Sequence, residues 1–424
     1  MSRAHTRRRR FLRMLPAAAV GAMLRQPVRA RASAANRPRV LIIGAGFAGG
    51  TCARYLRRMQ PAIDVTLVDP DESYVSCPMS NRVLTGLRDF ASINVSRRGL
   101  ARAGVTCLRD RVVGIEADSR RARLAGGATL RYDRLVMAPG IRMLWGTPQG
   151  YDEAAAQRMP HAWIAGAQTR LLAAQLHGLR DGGVVAISVP AGPMRCPPGP
   201  FERASLIAAY LKQHRHRCKI LIFDSNNHFP RQDAFEQSWQ ELYPGMIRWI
   251  PVVEDGAVIR VDPSRMLLYT AQQAHRADVI NIIPPQAPAL LAAQAGLAAN
   301  HGWCPVDPLS FASQLLPDVH VIGDACIADP MPKAASAANA QGRQCAAAIV
   351  AMLAGRPPSA SMLESVCYSL LAQDRALSIH AQFRLSGEGI RQLALPDDPG
   401  AVSAAQEARN ADAWYRDIIA DSFG

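Results

Sequence analysis

The chain has 424 residues, 49% apolar and 20% charged, a globular balance with length for two or three domains. Its formal charge of +15 suggests a polyanion partner, but nine arginines and no acid fall in residues 1–32, and +15 less these nine leaves +6 for the rest. No basic helix or aromatic–basic interleaving stands out, so no nucleic-acid partner is expected. The nine cysteines form no CxxC pair and no CxxCH, so no metal site and no c-type haem is expected on this chain.

Residues 1–32 read as an export signal. "RRRRFLRML" contains the Arg-Arg-x-Phe-Leu pattern of twin-arginine signals, and "ARA", ending at Ala32, has the form of a cleavage site. The apolar run at 14–24 is shorter than the about 18 residues of a span, and no later run approaches that length. These features predict a periplasmic protein with no stable membrane insertion.

The mature region opens with a dinucleotide fingerprint. Residues 40–43 are a continuous apolar run, as in a parallel strand buried on both faces. Gly44-x-Gly46-x-x-Gly49 then opens a helix, and a second strand at 65–68 ends at Asp69, twenty residues after Gly49. The glycines let a pyrophosphate approach the backbone, and Asp69 is placed to accept from a ribose hydroxyl. "RLVMAPG", ending at Gly140, has the form of the crossover that leaves this unit.

Residues 151–284 repeat the pattern, with a helix at 169–179, strands at 184–187 and 219–223, and a helix at 204–212 between the strands. Here the glycine fingerprint is missing. "SVPAGPMRCPPGPFERAS" (188–205) carries five prolines and Cys196. Prolines supply no N–H donors, so this loop is a poor phosphate cradle and nicotinamide-nucleotide binding is disfavoured.

A strand at 319–322 is followed by Gly323-Asp324. In two-nucleotide-domain flavoproteins such an Asp closes the first domain and holds the ribityl or phosphate part of FAD. FAD is therefore the expected cofactor, in a domain split into 37–150 and 285–355 around a vestigial NAD-like domain at 151–284. The predicted fold is α/β, a two-dinucleotide-domain flavoprotein. A small C-terminal α+β interface domain at 356–424 completes it. There Ser361-x-x-Glu364 predicts a helix over 362–372, and Trp414 falls in a short amphipathic helix.

Several stretches carry a family resemblance over residues 38–424: "SYVSCPMSN", "PHAW", "RCPPGPFERAS", "NIIPPQ", "GWCPVD", "VIGDACIADPMPK", "CYSLLA" and "SFG". In these the chain resembles the flavoprotein subunit of flavocytochrome c sulfide dehydrogenase. That resemblance implies the glutathione-reductase-like form of the fold and oxidation of sulfide, with electrons passed to a c-type cytochrome subunit that carries the haem. Tyr74, Cys77, Ser80 and Asn81 match the stretch in which the family attaches its flavin, which makes Cys77 the candidate thioether. By itself Cys77 reads as an ordinary thiol. The resemblance also pairs Cys196 with Cys367, 171 residues apart, as a redox disulfide facing the flavin. It makes Glu202 an acid/base partner of the sulfur, although a helix-capping glutamate is the plain alternative.

Trp414 matches a tryptophan near the flavin, with an ordinary core aromatic as the alternative, and Lys333 is placed beside the reduced ring. Cys304 and Cys326 are expected to be structural, and Cys107 a buried strand residue. Cys52, Cys107, Cys218 and Cys345 receive no role. Residues 243–253 look shorter than in the family, which would alter the cytochrome-facing surface and leave the sulfur site intact. Two other readings share the site: a flavin-bearing accessory subunit of a thiosulfate-oxidation system, and a sulfide:quinone oxidoreductase-like enzyme. The second needs a membrane-docking helix, and Asp417 and Asp421 make the final segment a poor anchor.

Overall fold

The computed structural model describes residues 37–299, 302–394 and 402–424. The export signal read at 1–32 lies outside the described residues.

Residues 39–43 form the central strand of a five-stranded parallel sheet because four consecutive apolar side chains there are buried. Asp64–Asp69 and Thr106–Arg109 follow on one side, and Arg134–Met137 and Val319–Val321 on the other. The last of these strands comes from far downstream, so the sheet is interrupted in sequence. The chain leaves it through Ile141–Met143 and returns through Gln286–Pro288, which pair antiparallel. Helices Phe47–Met59 and Ala335–Leu353 pack closely beside this sheet, and a Cβ at Gly342 would lie 2.6 Å from the Ala48 carbonyl oxygen.

The excursion builds a second parallel sheet in the order Ile247–Ile250, Lys219–Asp224, Val184–Val189, Val279–Ile282. Helix Gly199–His214 joins two of its strands and buries Phe201, Ile207 and Leu211 against it. Two sheets of this order, one interrupted by the other, are the two-dinucleotide-domain arrangement.

The C-terminal region corrects one expectation. Residues 361–372 are a strand, not a helix: Ser361–Ala372 pairs antiparallel with Arg375–Ser386, which in turn pairs with Gly389–Leu393. Glu364 does not close a capping box. It accepts from its cross-strand partner Gln382, Nε2 to Oε1 at 2.7 Å. Leu363 and Ser365 are buried while Met362 and Glu364 face out, a period of two that cross-strand pairing enforces over the local helix signal.

Helix Ala404–Phe423 follows, capped where Ser403 Oγ accepts from Gln406 N at 3.2 Å. It is longer than expected, and its end docks on the first domain. Thr51 Oγ1 bonds Ser422 Oγ at 2.9 Å, and Phe423 stacks on Tyr74 with centroids 5.5 Å apart. A second correction concerns Cys107. It is in a strand but exposed, because Thr106–Arg109 is the edge strand of its sheet.

Candidate active site

The fingerprint loop has the shape its glycines require. Gly44 sits at φ +95°, and a Cβ there would lie 2.2 Å from the Ala138 carbonyl oxygen. At Gly49 a Cβ would meet the Gly44 carbonyl at 1.9 Å, so that glycine lets the helix start tightly against the turn. Gly46 has only the Tyr74 ring edge nearby, at 3.7 Å, and opens onto a cavity. At the end of the second strand, Asp69 Oδ2 accepts from Ala45 N at 2.7 Å. Its other oxygen pairs with Arg97 at 2.9 Å.

The cavity runs from Asp69 past Gly44, Gly46 and Gly140 to Asp324, and ends among Cys77, Cys196, Glu202, Cys367 and Trp414. Asp324 follows Gly323, which adopts φ +77°. Burial pushes its carboxyl upward, while Arg195, 3.9 Å away, and Lys333 pull it back.

The sulfur end draws on three segments. Cys77 lies just after strand Ser73–Val75, and its Sγ donates to the Trp163 carbonyl at 3.7 Å. Cys196 takes a left-handed φ of +53°, unusual outside glycine, held where its N–H donates to the Lys333 carbonyl at 2.8 Å. Gly199 N in turn donates to the Cys196 carbonyl at 2.8 Å, and the helix begins at Gly199. Cys367 lies mid-strand, with Ser336 Oγ 3.6 Å from its sulfur. All three cysteines are half-buried and unjoined. Burial pushes the Cys196 thiol up strongly, and Cys367 and Glu202 add to the shift.

Glu202 ties these segments together. Its carboxylate accepts from Asn81 Nδ2 at 2.8 Å, four residues past Cys77, and from Leu370 N at 3.2 Å, three past Cys367. Burial raises its pKa despite these two hydrogen bonds. Trp414 lines the cavity and leans on Tyr368, centroids 5.9 Å apart.

Two predicted residues are placed elsewhere. Gly49 shapes the turn without lining the cavity. Lys333 sits behind the cavity-lining Asp324. Its Nζ donates to the Asp324 carbonyl at 3.0 Å and the Cys326 carbonyl at 2.8 Å, 3.8 Å from the Trp303 ring centroid. Its ammonium braces the Gly323-Asp324 turn. Cys304 and Cys326 are buried register partners of a short parallel pair, and Cys52, Cys218 and Cys345 are buried in cores.

Sequence reasoning missed Arg97, Arg195, Arg203 and Trp163, all of which line the cavity. Only "PHAW" and "RCPPGPFER" flagged three of them, as motif members; Arg97 had no local signal.

Among the described residues the second sheet has no equivalent cradle. Asp224, where a ribose-binding acid would be, is fully buried and already bonded by Asn226 N at 3.0 Å, Asn226 Nδ2 at 2.8 Å and Trp249 Nε1 at 3.0 Å.

One open fingerprint cradle leading past Asp324 suits FAD, and the fold and site together define a flavoprotein oxidoreductase of the two-dinucleotide-domain class. Residues 38–158 match the pyridine nucleotide-disulphide oxidoreductase family. Residues 169–284 match the central part of the sulfide dehydrogenase [flavocytochrome c] flavoprotein chain, and residues 359–423 the flavocytochrome c sulphide dehydrogenase flavin-binding family.

A sulfide dehydrogenase [flavocytochrome c] flavoprotein chain from Chlorobaculum thiosulfatiphilum is 51% identical over 45 residues, 11% of this chain and 94% of that sequence. The mitochondrial sulfide:quinone oxidoreductase of Mus musculus is 24% identical over 328 residues, 73% of this chain and 70% of that protein. In fold, the chain resembles the Aquifex aeolicus sulfide:quinone oxidoreductase, with TM-score 0.73, 18% identity and 91% of each chain covered. The chain belongs to the family of flavoprotein chains of flavocytochrome c sulfide dehydrogenase.

Proposed function

We propose that this chain oxidises sulfide through Cys196 and Cys367 and passes the electrons, by way of FAD, to a c-type cytochrome subunit. The observation that carries this reading is the convergence of three cysteines and one carboxylate at the far end of a dinucleotide cavity, in a protein whose second nucleotide cradle is closed. The chain's membership of its family supports sulfide as the donor and a cytochrome as the acceptor. No helix among the described residues is long and apolar enough to cross a membrane.

Cys77 would hold the flavin as a thioether, Asp324 its ribityl or phosphate part, and Asp69 its adenosine ribose. FAD, when bound, takes up an electron pair and can release electrons singly to a haem. The chain's own chemistry is thiol exchange. Hydrosulfide attacks one sulfur of the oxidised Cys196–Cys367 pair, a new S–S bond forms as the old one breaks, and the other cysteine leaves as a thiolate. Glu202 is placed to accept and return the persulfide proton. The twin-arginine pattern read at 1–32 supports export to the periplasm by that route.

The test is anaerobic reduction of the purified protein by stoichiometric sulfide. The parent bleaches in the visible, whereas C196S and C367S, each retaining flavin, do not. Bleaching of both variants at the parent rate would overturn the role of the pair. Co-purification of a CxxCH protein from the native periplasm tests the acceptor.

A further inference from the structure

Arg203 is the residue the mechanism above leaves unused. Its side chain is 2% exposed, yet every acceptor it meets is neutral. Nε donates to Asn81 Oδ1 at 3.0 Å, Nη1 to the His161 carbonyl at 3.0 Å and Asn281 Oδ1 at 2.8 Å, and Nη2 to the Ala162 carbonyl at 2.7 Å. Its guanidinium carbon lies 5.1 Å from the Trp163 ring centroid. A buried guanidinium costs several kcal/mol unless an anion compensates it. Burial pulls Arg203 down to about 10, and the groups that push it back up are Glu202, Cys196 and Cys77.

Two other cations reach these groups, Arg195 at Cys196 and Arg82 at Glu202, and each also has an acid partner of its own. Arg195 is 3.9 Å from Asp324, and its Nη2 donates to the Trp163 carbonyl. Arg82, which faces Glu202, pairs with Asp412 at 2.7 Å. His161, beside both Arg195 and Arg203, is held neutral with a pKa of about 4. Glu202, Arg195, Cys77 and Cys367 are the groups facing Cys196. Asn81 is the link: one face of its amide donates to Glu202 and the other accepts from Arg203, so the carboxylate and the guanidinium form an ion pair bridged by one neutral side chain.

We propose that Arg203 is a buried counter-charge shared by Glu202 and Cys196, favouring one anion between the two, so that a proton passes from one to the other. In that transfer the Cys196 S–H bond breaks, the proton goes to the Glu202 carboxylate, and the negative charge moves to sulfur with no change of oxidation state. Arg203 thus acts as a positioning charge: it sets when Cys196 is a thiolate without touching the substrate. This rests on the reading of Cys196 as one member of the redox pair, but not on sulfide being the donor.

The test is the pH profile of Cys196 alkylation by iodoacetamide in reduced holoprotein, read by peptide mass. E202Q removes the competing anion, and Cys196 should then be alkylated about tenfold faster at a given pH, its half-point falling by about one pH unit. R203M should slow alkylation about tenfold, and R203K should restore most of the rate. An E202Q profile that superimposes on the parent, or moves upward, overturns the proposal, and does so even if R203M fails to fold. Loss of sulfide oxidation in the parent, with the E202Q shift intact, would instead count against the proposed function alone.

Discussion

The position of the Cys196 sulfur can be tested by filling the space beside it. A Cβ at Gly199 would meet Trp163 Cη2 at 2.8 Å and Cys196 Sγ at 3.0 Å. Carbon contacts relax at about 3.5 Å or more, so in G199A one neighbour or both must retreat by about half an ångström. The Trp163 ring is confined: it is buried, the Arg203 guanidinium lies 5.1 Å from its centroid, and its backbone N–H donates to His161 Nδ1 at 2.9 Å. Cys196 is therefore the group that moves.

Overpacking costs about 1–3 kcal/mol, and alanine in place of helical glycine returns about 0.5–1, so the net loss of stability is about 0–2 kcal/mol. A misplacement of about 1 Å costs on the order of a hundredfold in rate, so half of that should slow reduction by sulfide about tenfold. The assay pairs denaturant unfolding with anaerobic stopped-flow bleaching. G192A, where a Cβ meets nothing within 4 Å, is the control and should match the parent in both. A folded G199A that bleaches at the parent rate would refute the placement of Cys196 at the reacting centre.

Other outcomes follow from the same geometry. In C77S, acid precipitation should leave the yellow colour in the supernatant, with a stability change under about 1 kcal/mol, because the Cys77 sulfur makes only one long contact to the Trp163 carbonyl. Folding stability should fall as pH drops from about 6.5 to 4. Buried His161 and His320 both have pKa values depressed to about 4, so the unfolded chain binds protons that the native state refuses, costing about 3 kcal/mol each by pH 4. Denaturant midpoints across that range measure it, and H320Q should flatten the slope. Cys107, exposed on its edge strand, should be the first cysteine of the native protein to be alkylated, as peptide mapping would show.

The sequence was most legible where structure is made locally. Gly44 and Gly49 are demanded by a turn a few residues long, and the prolines around Cys196 remove donors wherever the loop goes. Where long-range pairing decides, local signals misled. Ser361 and Glu364 spell a helix start, yet the partner strand at 375–386 claims the backbone of 361–372, and Ser361 Oγ bonds Gln344 instead. The direction of Lys333 depends on carbonyls that a turn presents to it, and the importance of Arg203 depends on Asn81 and Asn281, 122 and 78 residues away. Charges of this kind leave little trace in local composition, since only the fold shows which are left unmatched.

The central claim is that two thiols brought together from distant segments form a redox couple in electronic contact with the flavin. Anaerobic reductive titration with dithionite counts the electrons each protein accepts. The account predicts about four electrons per flavin in the parent and about two in C367S. Equal uptake of about two electrons in both proteins would contradict it.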